Sequence, residues 1–136
     1  MLERLDFSEV DILVIDDNVF IRRLLKEVLV SMGCRRVREA DGAFEALERV
    51  RMRPPDLVFC DWMMNPVDGL TLLKKLRAER SMIGVPVIMV SGHSTQEQVA
   101  MALGEGADSY IVKPFKPSTL IDHILKVVQA KDATYV

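Results

Sequence analysis

The sequence predicts an α/β fold, a doubly wound parallel sheet of five strands. Strand-like and helix-like segments alternate five times along the chain, which is the pattern of βαβ units. The strand-like runs at residues 12–15, 57–60 and 87–90 are almost continuously apolar. Strands covered by helices on both faces have this composition, so we expect these three in the middle of the sheet.

Length and composition predict one soluble domain, with a core at about residues 10–130 of the 136. Apolar residues make up 49%, charged residues 28%, and the formal net charge is -2. These values disfavour a disordered chain, a membrane protein and a basic nucleic-acid-binding protein. The N-terminus lacks a hydrophobic secretory segment, so we expect a cytoplasmic protein with no effector domain after its last helix.

Capping and breaking residues delimit the first three helices. Asn18 is a candidate N-cap, and helical spacing of apolar residues continues from there to Ser31. The second helix is expected to begin near residues 41–42, to use Phe44 in its apolar face and to stop before Pro54. The third should begin near residues 68–69.

The last two helices carry clearer start signals. Residues 94–97 read Ser-Thr-Gln-Glu, the form of a capping box, and they should open a fourth helix that Gly104 and Gly106 close. Pro117 suits the first turn of a fifth helix, which should give way to a polar tail at Lys131.

The second strand is expected at an edge of the sheet. Residues 35–39 are highly charged, which resists pairing with another chain, so strand one should lie inboard of strand two. The arginines there, including Arg36 and Arg38, are interpreted as a solvated edge and not as a nucleic-acid site. Leu2, Leu5 and Phe7 predict an N-terminal extension that packs on the body or on a partner.

Four of the apolar runs end in a residue suited to phosphoryl chemistry. In order they lead into Asp16-Asp17, Asp61, Ser91 and Lys113. The carboxyl ends of parallel strands meet at one edge, where ligands bind. Two carboxylates 4 Å apart repel by about 4 kcal/mol near a protein surface, so the cluster calls for a cation. Mg2+ prefers such hard oxygen ligands, and an activated carboxylate can act as a nucleophile.

These motifs, with Asp68-Gly69 and Lys113-Pro114-Phe115, resemble the receiver domains of two-component response regulators. The resemblance covers about residues 10–128. It implies a stand-alone, chemotaxis-regulator-like receiver with the (βα)5 flavodoxin-like strand order 2-1-3-4-5. It also implies that the protein accepts a phosphoryl group from a histidine kinase or a histidine phosphotransfer protein and controls a downstream protein.

The resemblance assigns roles to individual residues. Asp61 would be the phosphoacceptor, and Asp17, Asp61 and the Met63 carbonyl would ligate Mg2+, with Asp16 acting through a water. Lys113 would pair with the acceptor carboxylate or its phosphate, and the Lys113-Pro114 peptide would be cis. Direct binding to nucleic acid or to a membrane is not implied.

A conformational switch is implied as well. The Ser91 hydroxyl would turn toward the phosphoryl oxygens, and Tyr110 would rotate inward into the vacated space. The surface of the fourth helix, fifth strand and fifth helix would then change shape and control the partner.

The sequence departs from the family beside the acceptor. Residues 64–67 read Met-Asn-Pro-Val, which places Pro66 one position late and predicts a different loop path. Met63 and His93 occupy positions that in this family influence phosphoryl lifetime, and we expect both to alter access of the hydrolytic water.

Two alternatives stay open. An aspartyl-phosphate phosphatase would need an acid two residues after its nucleophile, where this chain has Met63. An adaptor could keep the fold without the chemistry, although the complete set of carboxylates disfavours it. The favoured prediction is a signalling protein that catalyses its own phosphorylation and dephosphorylation and is not an enzyme acting on other substrates.

Overall fold

Five strands alternate with five helices in a computed structural model that describes residues 7–133. Short 3-10 turns lie at Phe7–Glu9 and Arg80–Met82. The elements are β1 (Asp11–Ile15), α1 (Val19–Ser31), β2 (Arg36–Ala40), α2 (Ala43–Met52), β3 (Leu57–Asp61), α3 (Gly69–Ala78), β4 (Val87–Ser91), α4 (Gln96–Gly104), β5 (Ser109–Val112) and α5 (Pro117–Ala133).

All strand pairs are parallel, and the sheet has the order β2-β1-β3-β4-β5. Ile12 lies between Val37 of β2 and Leu57 of β3. Every residue of β1, β3 and β4 is buried, whereas β2 at the edge is partly exposed. The predicted fold, the central apolar strands and the charged edge strand are therefore confirmed.

Two hydrophobic layers cover the sheet. Since side chains alternate along a strand, Leu13 and Val58 face α2 and α3, while Ile12 and Phe59 face α1 and α5. Phe7 packs on the layer formed with α1 and α5, which confirms that this residue lies against the body of the domain. Leu2 and Leu5, named with it above, lie outside the described residues.

Three local predictions need correction. The capping box at α4 is formed by Thr95 and Gln98, one residue later than the predicted Ser94 start, because Thr95 takes the extended N-cap conformation. Phe44 is 80% exposed and does not belong to the buried face of α2, which uses Ala43, Ala46 and Val50 instead. The α5 helix continues through the expected polar tail to Ala133.

No helix in the part of the chain from residue 7 to residue 133 is long and apolar enough to cross a membrane.

Candidate acidic site at the strand ends

The predicted site residues converge at the carboxyl edge of the sheet. Asp61 and Ser91 are the last residues of β3 and β4, Asp16 follows β1 directly, and Lys113 follows β5. One carboxylate oxygen from each of Asp16, Asp17 and Asp61 lies within 4.8 Å of the others. These residues, which are far apart in the sequence, thus form one pocket.

Asp16 is the most restrained of the three acids. It is 1% exposed, and its backbone N–H donates to the Ala40 carbonyl at 3.1 Å. Its Oδ1 accepts a hydrogen bond from the backbone N–H of Asn18 at 2.8 Å, and its Oδ2 accepts one from Lys113 Nζ at 3.0 Å. Asp16 therefore keeps one orientation, while Asp17 is exposed.

Lys113 is the cation inside this cluster. Its Nζ lies 3.3 Å from Asp61 Oδ1 as well as 3.0 Å from Asp16 Oδ2. Burial raises the pKa of Asp61 above its ordinary value, and the Asp16 charge adds to this effect. The Lys113 charge and hydrogen bonds from Lys113 and the Met63 backbone oppose the rise without cancelling it. The negative charge of the Asp61 carboxylate is thus only partly balanced by the neighbouring groups.

Gly69, the first residue of α3, has a role that sequence reasoning missed. Its N–H donates to the Trp62 carbonyl at 2.7 Å, and a Cβ built at this position would lie 1.9 Å from the Asp61 backbone oxygen. Only a residue without a side chain allows α3 to approach the Asp61 backbone so closely. A glycine in a first helical turn, directly after the Asp68 cap, was the available signal.

The predicted switch residues are joined by hydrogen bonds. Ser91 is fully buried, and its Oγ accepts from the His93 amide at 3.1 Å. The His93 carbonyl in turn accepts from the Tyr110 hydroxyl. The Tyr110 ring is half-buried and meets Trp62 edge to face, with 6.4 Å between ring centroids. Ser91 and Tyr110 are therefore linked through the backbone of His93.

The loop after Asp61 combines an inward and an outward methionine. Met64 is buried, whereas Met63 is 55% exposed. The Asn65-Pro66 peptide is cis, which sequence reasoning did not foresee at this departure from the family. The Lys113-Pro114 peptide is also cis, the geometry that the resemblance implies.

Several other polar residues have partners outside the acidic cluster. Asp68 caps α3, and its Oδ1 accepts from the backbone N–H of Thr71 at 2.8 Å. His123 pairs with Ser109 Oγ. Arg38, interpreted above as part of a solvated edge, is instead drawn to the buried Asp11, with Nε 2.9 Å from Oδ1.

The donor set fits a hard divalent cation. The acidic cluster offers carboxylate oxygens, and one lysine lies within ion-pair distance of two of its three acids. Mg2+ typically uses one or two carboxylates and completes its shell with waters and phosphate oxygens. Asp17 and Asp61 are suited to hold it, since Asp16 is already committed to Asn18 and Lys113.

Comparison with known proteins matches this architecture. The chain is 35% identical to chemotaxis protein CheY-3 of Vibrio cholerae over 118 residues, which are 87% of this chain and 91% of that protein. It is also 35% identical to chemotaxis protein CheY1 of Helicobacter pylori over 122 residues, 89% of this chain and 98% of that one. The similarity therefore extends over nearly the full length of both relatives.

A solved structure gives the same result in three dimensions. The CheY-like response regulator receiver domain protein of Methanospirillum hungatei superposes with a TM-score of 0.84 at 30% identity, covering 92% of this chain and 98% of that one. The family model of the response regulator receiver domain matches residues 12–125. The chain belongs to the response regulator receiver domain family.

Proposed function

We propose that this receiver accepts a phosphoryl group on Asp61 from a phosphohistidine donor, with Mg2+ bound at Asp17 and Asp61. The observation that carries the proposal is the cluster of three carboxylates within 4.8 Å, with Lys113 bonded to two of them. Such a site favours a cation because the cation neutralises part of the excess negative charge, and the cation and Lys113 together can then offset the negative oxygens of an incoming phosphoryl group.

The transfer needs one nucleophile and a set of charge partners. An Asp61 carboxylate oxygen attacks phosphorus, the bond from phosphorus to the donor breaks, and the donor leaves with that electron pair. Bound Mg2+ would neutralise charge on the transferring oxygens. Lys113 already lies 3.3 Å from the acceptor oxygen, so it can follow the charge from carboxylate to phosphate without a large movement.

The signal would leave the site through Ser91 and His93. A phosphoryl group on Asp61 gives the Ser91 hydroxyl a strong acceptor, and turning toward it weakens the 3.1 Å bond from the His93 amide. The His93 carbonyl holds the Tyr110 hydroxyl, so movement of this backbone repositions Tyr110. We infer that phosphorylation is read as a change in the Tyr110 rotamer population.

The surface of α4, β5 and α5 is the proposed partner site. Met101 and Leu103 of α4 and Val112 of β5 are each about half exposed, and Tyr110 belongs to the same strand as Val112. Exposed apolar side chains beside a switch residue favour docking of a protein partner. Two relatives are chemotaxis proteins, which fits control of a protein target.

Phosphoryl labelling with a small donor tests the proposal. The wild type is expected to take up one phosphoryl group per chain in the presence of Mg2+, with label that survives acid and is lost in base. Asp61→Asn should abolish the label, whereas Asp68→Asn, which keeps a capping oxygen, should retain it. Consumption of donor faster than the measured decay of the bound label can account for would indicate a phosphatase, and absence of label in the wild type would indicate an adaptor.

Decay of the same label tests the roles of Met63 and His93. Both residues are exposed beside the pocket, and we propose that their side chains control access of the hydrolytic water. The double variant with Met63→Ala and His93→Ala should change the dephosphorylation rate without changing the amount of label. An unchanged rate would remove both residues from this role.

A further inference from the structure

The peptide that joins the two N-terminal acids is held from outside the pocket by an arginine. Arg22, one turn into α1, donates from Nη1 to the Asp16 backbone carbonyl at 2.7 Å. Its side chain is 16% exposed, so this bond is shielded from much of the solvent. Arg22 approaches the site without touching the carboxylate side chains that form it.

Arg22 is itself fixed by the edge strand. Its Nε donates to Glu39 Oε1 at 2.9 Å, and Lys26 Nζ lies 3.4 Å from the other oxygen of Glu39. Burial raises the pKa of Glu39, but the hydrogen bonds and charges of Arg22 and Lys26 outweigh it and leave the pKa below its ordinary value. Glu39 therefore stays ionised and keeps the guanidinium in one orientation.

Asp17 is the acid that depends on this arrangement. The Asp16 side chain is held by Asn18 and Lys113, but the Asp17 side chain makes no hydrogen bond or ion pair within residues 7–133. The Asp16 carbonyl belongs to the same planar peptide as the Asp17 nitrogen. Orienting that carbonyl therefore sets the direction in which Asp17 leaves the backbone.

We propose that Arg22, oriented by Glu39, is a positioning residue that aims Asp17 at the metal and so sets the affinity for Mg2+. The inference rests on the proposed function, because it concerns the same cation. Residues that orient ligands without binding the metal typically change metal affinity by about 10- to 100-fold when they are replaced.

Charge and geometry predict opposite results here. Removing a positive charge near three carboxylates should favour a cation and tighten Mg2+ binding. Removing the hydrogen bond from Arg22 that orients the Asp16-Asp17 peptide should instead weaken Mg2+ binding. The sign of the change in affinity therefore separates a positioning role from a general electrostatic one.

The test is a titration of the metal-free full chain with MgCl2, followed by the fluorescence of Trp62, the one tryptophan, which adjoins Asp61. Binding of Mn2+, counted by electron paramagnetic resonance of the free ion, checks the affinities independently. Arg22→Met should raise the Kd about tenfold. Arg22→Lys keeps the charge without the planar fork and should also raise it. The matched control is Arg23→Met, on the exposed adjacent residue, which should leave the Kd unchanged.

Two further measurements show that the effect passes through Asp17. In an Asp17→Asn background, Arg22→Met should have little additional effect on the Kd. In the labelling reaction, Arg22→Met should raise the half-saturating Mg2+ concentration while the rate at saturating Mg2+ is recovered. If Arg22→Met does not fold, Arg22→Lys and Glu39→Gln carry the same comparison.

Each outcome decides the inference. Weaker binding in both Arg22 variants with unchanged binding in Arg23→Met supports it. An unchanged or tighter Kd in the Arg22 variants overturns it and leaves the proposed function standing. A wild type that binds neither Mg2+ nor Mn2+ overturns both.

Discussion

The two ends of the β-sheet treat buried carboxylates in opposite ways. At the amino end, Asp11 is 4% exposed and has two guanidinium partners, with Arg38 Nε 2.9 Å from one oxygen and Arg53 Nη2 2.7 Å from the other. The Arg53 contact is a close ion pair and not a well-aligned hydrogen bond. At the carboxyl end, Asp16 and Asp61 share the single amine of Lys113.

The difference between the two clusters is whether the protein itself balances the charge of the buried acids. Arg38 also donates to the Arg49 and Arg53 carbonyls at the end of α2, so the Asp11 cluster joins a strand to a helix and has its charge balanced by protein groups. The Asp61 cluster has three carboxylates and one lysine within ion-pair distance, so it keeps an excess of negative charge that a bound cation would offset. Burial is similar at both ends, so the two clusters differ in the number of cationic side chains that balance their acids.

The largest expected effect is the loss of stability in Gly69→Ala at the carboxyl end of the sheet. Gly69→Ala would place a Cβ 1.9 Å from the Asp61 oxygen and 2.8 Å from Trp62 Cα, and backbone cannot move aside as a flexible side chain can. We expect a loss of about 3 kcal/mol or more in the free energy of unfolding, measured by urea denaturation, together with weaker Mg2+ binding.

The matched control is Gly84→Ala at the opposite end. Gly84 has φ +80° but nothing within 4 Å of its Cβ position, so only the left-handed backbone is unfavourable, which costs about 1 kcal/mol. Its Mg2+ affinity should not change. Equal losses of stability in the two variants would mean that the close approach of α3 to the Asp61 backbone does not limit stability.

Next in size is the removal of the balanced acid. Asp11→Asn leaves Arg38 and Arg53 without their anion, and we expect a loss of about 2 kcal/mol. Fully buried pairs lose about 3–5 kcal/mol, but Arg53 is more than half exposed and water can replace part of its contact. Glu105→Gln, which removes an exposed partner 3.9 Å from Lys74, is the control and should cost less than about 0.5 kcal/mol. An unchanged free energy of unfolding in Asp11→Asn would show that the stability of the amino end does not depend on the ion pairs of Asp11 with Arg38 and Arg53.

Sequence reasoning located the fold and the site pocket because both follow from periodic signals. Apolar runs such as residues 87–90 can be buried only inside a covered sheet, and a parallel sheet brings the residues after each run to one edge. Residues at strand ends, such as Asp61 and Lys113, were therefore placed together without any knowledge of side-chain conformation.

Contacts that depend on side-chain direction or on close approach were not predictable in this way. The pattern of α2 suggested burial of Phe44, yet small residues face the sheet and Phe44 is exposed, because Ala46 and Val50 leave room for closer packing. Arg38 read as a solvated charge, since its partner Asp11 is 27 residues away. The partner of Arg22 is the Asp16 backbone carbonyl, which carries no sequence signal of its own, and Gly69 was marked only by its place directly after the Asp68 cap.

The smallest expected effect has the opposite sign and tests the unbalanced end directly. In metal-free protein at neutral pH, Asp61→Asn should raise the free energy of unfolding by about 1 kcal/mol, because it removes a buried charge that Asp16 repels. The pKa of Asp61 is raised in the folded state, so its ionisation opposes folding at pH values above that pKa and stops doing so as the pH falls through it. The advantage of Asp61→Asn should therefore shrink on acidification toward pH 4. Saturating Mg2+ should reverse the order by stabilising the wild type more. If Asp61→Asn destabilised the metal-free protein as Asp11→Asn does, the two ends of the sheet would not differ in their charge balance.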